Sequence, residues 1–114
     1  MPKTEELTLE QSRLVYLWKE GLPNTLSDSD KAEVLADGRD PKALRIHIRT
    51  AGHEMYSFDF KVTYIDSREI KVDLIDAERD NRTVDESTDI IQTLVEDYIR
   101  HIHECAQQLK SYTQ

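Results

Sequence analysis

Apolar positions along the chain follow two periods, one helical and one of strands, and the two occupy different stretches. Leu14, Leu17 and Trp18 recur at helical spacing and give one apolar face. Thr8 followed by Gln11 has the form of a capping box, in which a hydroxyl and an amide satisfy free N–H groups at a helix start. Gly21 stands where a left-handed residue would end the helix, Leu22 follows for the accompanying contact, and Pro23 forbids continuation. The pattern predicts a helix over residues 9–20.

From Pro23 to Pro41 the signal divides. Ser27 or Asp28 would cap a short helix carrying Ala32, Val34, Leu35 and Ala36, and a loop with one helical turn fits nearly as well. Asp37-Gly38-Arg39-Asp40-Pro41 reads as a turn.

The middle of the chain alternates. Leu44, Ile46 and Ile48 share one face, against Arg45, His47 and Arg49 on the other. After Thr50-Ala51-Gly52-His53, a turn, the second run places Tyr56, Phe58, Phe60, Val62 and Tyr64 opposite Ser57, Asp59, Lys61 and Thr63. Asp66-Ser67-Arg68 turns the chain again, and Ile70, Val72 and Leu74 then face inward while Glu69, Lys71 and Asp73 face out. Short connections make these strands antiparallel neighbours, one face of the sheet apolar and the other charged.

Asp76 to Arg82 reads as a charged loop, and Thr83 with Glu86 repeats the capping-box pattern. A long helix follows, with Ile91, Val95, Tyr98, Ile102, Cys105, Leu109 and Tyr112 on one stripe. Spacings of four and three would also suit a coiled coil; packing on the sheet is the simpler use. A helix from about 84 to 111 would span roughly 40 Å, more than strands of seven to ten residues at about 23–33 Å. Its last turns would then overhang the sheet and need cover, from the first helix or from a second copy of the chain.

The fold class expected is therefore α+β. A three-stranded antiparallel β-meander packs against an N-terminal helix and a long C-terminal helix, in the order α-β-β-β-α. One domain spans residues 1–114, with 1–6 flexible. Tyr56, Phe58 and Phe60 are the core positions whose truncation should cost most, about 3–5 kcal/mol for a buried Phe.

Composition narrows the function classes. The 23 acidic against 15 basic residues give a net charge of −8, and the basic residues are scattered, so no nucleic-acid partner is expected. The one cysteine, Cys105, precludes an internal disulfide. No apolar stretch approaches a membrane span, and the first residues are too acidic and polar for a signal peptide, which makes a cytoplasmic location the expectation.

Candidate chemistry is sparse. His101, His103 and Cys105 bring zinc to mind, but residues two apart on a helix point away from each other, so only Asp97, His101 and Cys105 share a side. Cys105 also belongs to the apolar stripe, where a lone thiol serves as a small hydrophobe, so no metal is assigned. Asp76-Ala77-Glu78-Arg79-Asp80-Asn81 starts like a calcium loop. Asn81 holds the slot that needs Gly and Ser87 the slot that needs Glu, so a solvated turn is the reading. Nucleophile elbows and phosphate-cradling glycine loops are absent, and no catalytic residue or cofactor is assigned. The element order is also that of the double-stranded-RNA-binding domain, which meets phosphates with cations at the start of its last helix. Here Asp85, Glu86 and Asp89 stand there, so no membership is inferred.

One candidate surface remains. Arg45, His47 and Arg49 line up on the outward face of the first strand, with Lys61 across from them, and would receive an acidic ligand or partner peptide. Pairing with Asp59 and its neighbours on a solvated face is the plainer alternative. The expected function is a non-catalytic protein–protein interaction or adaptor module, homodimeric through the overhanging helix in one version. The alternatives are an acidic mimic of nucleic acid that inhibits a basic partner, and a small-ligand binder or enzyme using the charged sheet face.

Overall fold

The computed structural model describes residues 9–26, 30–50, 56–79, 82–83 and 88–113. A first helix, α1 (Gln11–Gly21), runs into a single 3-10 turn at Leu22–Asn24. Five strands follow, β1 (Lys31–Ala36), β2 (Ala43–Arg49), β3 (Tyr56–Tyr64), β4 (Ile70–Arg79) and the two-residue β5 (Arg82–Thr83). The chain ends in α2 (Asp89–Gln108) and a short α3 (Lys110–Thr113). The strands form one antiparallel meander in sequence order, and both main helices pack on the same face of it. The architecture is α+β, as the alternation indicates.

The sheet is larger than three strands. Residues 31–36 form an edge strand instead of a short helix, with Ala32, Val34 and Ala36 opposite Ile48, Ile46 and Leu44 of β2. Val34 is buried, whereas Leu35 points out and is 58% exposed. The proposed caps of that helix, Ser27 and Asp28, lie outside the described residues, as does the turn at 51–53. β4 also runs on through Asp76, Ala77, Glu78 and Arg79, so this stretch is strand and not a solvated turn; Asp80 and Asn81 lie outside the described residues. A register shift between Asp59 and Phe60 leaves Ile75 as an extra residue, a bulge that carries the inward position from Leu74 to Ala77.

The helix ends also differ from the capping patterns. Glu10 caps α1 without a side-chain bond, and Thr8 lies outside the described residues. Gln11 instead extends its amide to the carbonyls of Asp37, Asp40 and Ala43 at 2.8–3.0 Å, tying the helix to the β1–β2 turn. Gly21 is right-handed, with φ −89°. Its use is close approach: an added Cβ would meet Leu109 at 3.3 Å and the Cys105 sulfur at 3.6 Å. Thr88 caps α2, its hydroxyl accepting from the Ile91 N–H at 3.4 Å, so Thr83 belongs to β5 and Glu86 lies outside the described residues.

The apolar stripe of α2 faces the sheet and α1. Ile91, Tyr98, Ile102, Cys105 and Leu109 are buried together with Leu14, Leu17 and Trp18 of α1. Twenty residues of helix span about 30 Å, matching the ten of β4 at about 33 Å. The helix is thus no longer than this strand, and its last turns are covered by α1, where Cys105 and Leu109 meet Gly21. Beyond Leu109 the chain turns into α3, where the Thr113 hydroxyl donates to the Ser67 carbonyl at 2.9 Å and fastens the end over the β3–β4 turn. Phe58 and Phe60 are wholly buried, whereas Tyr56 is half-buried and stacks on Phe58.

Candidate functional site

Both main helices pack on one face of the sheet, and among the described residues no helix packs on the other. Strand pairing orders the open face into rows. One row runs Lys31, Arg49, Ser57, Glu78; the next Glu33, His47, Asp59, Asp76; the third Leu35, Arg45, Lys61, Asp73. Charge is sorted across the strands. β2 presents Arg45, His47 and Arg49, whereas β4 presents Lys71 at its start and then Asp73, Asp76 and Glu78, two strand spacings or about 10 Å away.

The three residues singled out from the sequence thus share one strand and one face, and among the described residues Arg45 and His47 have a charged partner while Arg49 has none. Arg45 donates its Nε–H to Asp37 Oδ1 at 2.9 Å. Asp37 is nearly buried because it organises the turn, its Oδ2 accepting from the Arg39 and Asp40 N–H groups at 3.0 and 2.8 Å. The Arg45 guanidinium, then those N–H groups, hold its carboxyl down to about 2. His47 Nδ1 lies 2.7 Å from Asp59 Oδ1 across the β2–β3 pair. Arg49 is exposed at the end of β2 beside Lys31. Lys61 lies opposite Arg45 on β3, as the alternation indicates.

Asp37 is the member that sequence reasoning passed over. The signal was present, since an Asp opening Asp37-Gly38-Arg39-Asp40 is a former of turns through its own side chain. On the acidic side Asp73 follows from the alternation, whereas Asp76 and Glu78 fall in the stretch that reads as a charged loop.

Other groups face inward or find local partners. The Cys105 thiol packs against α1, and burial pushes its pKa up to about 12, which suppresses the nucleophilic thiolate. Asp97 pairs with Arg100 at 3.3 Å and His101 with Glu104 at 2.8 Å, so neither turns toward Cys105 as a shared ligand set would. Among the described residues no three of His, Cys, Asp and Glu gather as a metal site. The Tyr98 hydroxyl donates to Asp30 at 3.1 Å, and burial, followed by the Asp30 charge, raises its pKa.

Among the described residues no helix is long and apolar enough to cross a membrane. Compared with known proteins, the chain matches no family model, no curated protein and no solved structure.

Proposed function

We propose that the protein is a non-catalytic interaction module that docks a partner protein on the open face of its sheet. The observation that carries this reading is the sorting of charge there. A cationic strand, β2, and a mainly anionic strand, β4, flank β3 on a surface made rigid by the hydrogen-bonded ladder and the helices behind it. Opposed stripes of charge favour one partner orientation, steer encounter and reject surfaces of like pattern. The exposed Leu35 and Ile75, 58% and 44% accessible, add apolar contact near the two sides of the face. The partner fitted to it carries an acidic stripe for Arg45 and Arg49 and a basic stripe for Asp73 and Asp76.

The chemistry of the described side chains supports binding over turnover. The thiol is buried, and Arg45 and His47 are engaged by carboxylates within the chain. Nucleic-acid mimicry draws support from the net charge of −8 and from the acidic row on β4. Arg49 and Lys61 interrupt that row's surroundings with the opposite sign, which favours a partner of mixed charge.

The test is capture from native cells with the wild-type chain and with an Arg49→Glu, Lys61→Glu double variant, which leaves the Arg45–Asp37 and His47–Asp59 pairs in place. The reading requires a near-stoichiometric protein that the variant loses and that added salt weakens. Equal capture by both chains would assign the partner to another surface.

A further inference from the structure

Among the described residues, strand β4 is a sheet edge over much of its length. Among the described residues β5 covers only Glu78 and Arg79. The Ile65 N–H donates to the Glu69 carbonyl at 2.9 Å, which fixes the parity of the β3–β4 ladder. Lys71 and Asp73 therefore turn their backbone groups toward β3, and Ile70, Val72 and Leu74 turn theirs away from the sheet. The side chains of these last three lie on the helix-covered side, where Val72 and Leu74 are only half-buried. Val95, Ile99 and Ala106 of α2 are half-buried as well. Between α2 and the start of β4 lies a groove of about 290 Å³, lined by Ile70, His103 and Ala106 among others. Among the described residues, a backbone ladder without a strand partner and incompletely covered apolar side chains thus lie along one edge.

We propose that this edge pairs antiparallel with the same edge of a second copy of the chain, about a two-fold axis through Val72, joining two sheets into one. The segment Ile70-Lys71-Val72-Asp73-Leu74 is self-complementary about its middle residue. In this register Val72 faces the partner's Val72, Ile70 faces the partner's Leu74, and Lys71 faces the partner's Asp73, each of the last two contacts occurring twice. Every outward N–H and C=O from Ile70 to Leu74 gains a partner. Sliding the pairing one ladder step in either direction sets Lys71 against Lys71 or Asp73 against Asp73, so charge selects the register. An axis perpendicular to the sheet keeps both helical layers on one side, and each α2 then meets the other along its half-buried flank.

The opposite edge fits a copy less well. By the same parity, set by the Asp37 N–H bond to the Ala43 carbonyl at 3.1 Å, β1 turns Ala32, Val34 and Ala36 outward. Two of those three offer only a methyl group to cover.

The pairing stands apart from the partner reading above, and the oligomeric state of the purified chain tests it without that partner. Sedimentation of the full-length chain across roughly 1–300 µM should show a monomer–dimer equilibrium. Lys71→Asp alone places carboxylates opposite carboxylates at both contacts, and Asp73→Lys alone places amines opposite amines. Each should weaken the dimer roughly ten-fold or more. Mixed together, the two variants should recover it, because every opposed pair is then of opposite sign. The Lys71–Asp73 approach within one chain, 3.9 Å, is lost in both variants, so recovery on mixing reports the contact between copies. A wild-type monomer throughout, single variants that dimerise like wild type, or a mixture that stays monomeric would each overturn the proposal.

Discussion

The indole Nε1–H of Trp18 in α1 donates to the hydroxyl oxygen of Tyr64 at the end of β3, 3.0 Å away and 46 residues along the chain. The rings meet edge to face, 6.4 Å between centroids at 87°. Both residues are buried, and burial raises the Tyr64 hydroxyl to about 12, so it stays protonated throughout the physiological range. This contact fixes α1 over the far end of the sheet. Tyr64→Phe leaves the indole N–H without an acceptor in the core and should cost about 1–3 kcal/mol in urea unfolding. An unchanged midpoint would show that the indole finds another acceptor.

Asp37 makes folding sensitive to acid. Its pKa in the folded chain, about 2, lies below the ordinary 3.8, so the ionised form favours the fold. That contribution is complete above about pH 4 and is lost as pH falls through 3.8 toward 2. The stability difference between wild type and Asp37→Asn should therefore be largest near neutrality and shrink through that window. A difference independent of pH would assign the turn's stability to something other than the carboxylate charge.

Cys105 reports on opening. Its thiol is buried against Gly21 and carries a pKa near 12, so a disulfide reagent at pH 8 should modify it only as fast as α1 and α2 separate. Gly21→Leu should raise that rate and destabilise the fold by about 1–3 kcal/mol, because the added side chain must displace Leu109. Immediate labelling of the native wild-type chain would contradict the packing of these two helices.

The elements legible in the sequence were those whose periodicity is uninterrupted. β2, β3 and the start of β4 alternate cleanly, and α1 and α2 carry continuous apolar stripes. β1 was obscured by Leu35, a large apolar residue on the open face; together with Ala32, Val34 and Ala36 it mimics a helical pattern. The far half of β4 was obscured by its bulge. Ile75 breaks the alternation, and only Ala77 then faces the core among charged neighbours that read as loop. Gly21 shows a different failure, since its left-handed use and its close-packing use leave the same trace in sequence.

The candidate surface divides in the same way. Its cationic strand followed from period alone, because Arg45, His47 and Arg49 alternate with core residues. On its anionic strand Asp73 followed in the same way, whereas Asp76 and Glu78 required the bulge and the pairing register, which are tertiary facts. The engagement of Arg45 by Asp37 arises from a turn and not from the sheet, so no strand pattern contained it.

Photo-crosslinking in native cells locates the docking surface, with a benzophenone side chain placed at Thr63, on the sheet face away from the helices, or at Tyr16, on the exposed side of α1. A partner that docks on the sheet predicts one dominant crosslinked protein from Thr63 and none of it from Tyr16. Crosslinking from Tyr16 with silence at Thr63 would contradict the account, placing the working surface on the helices.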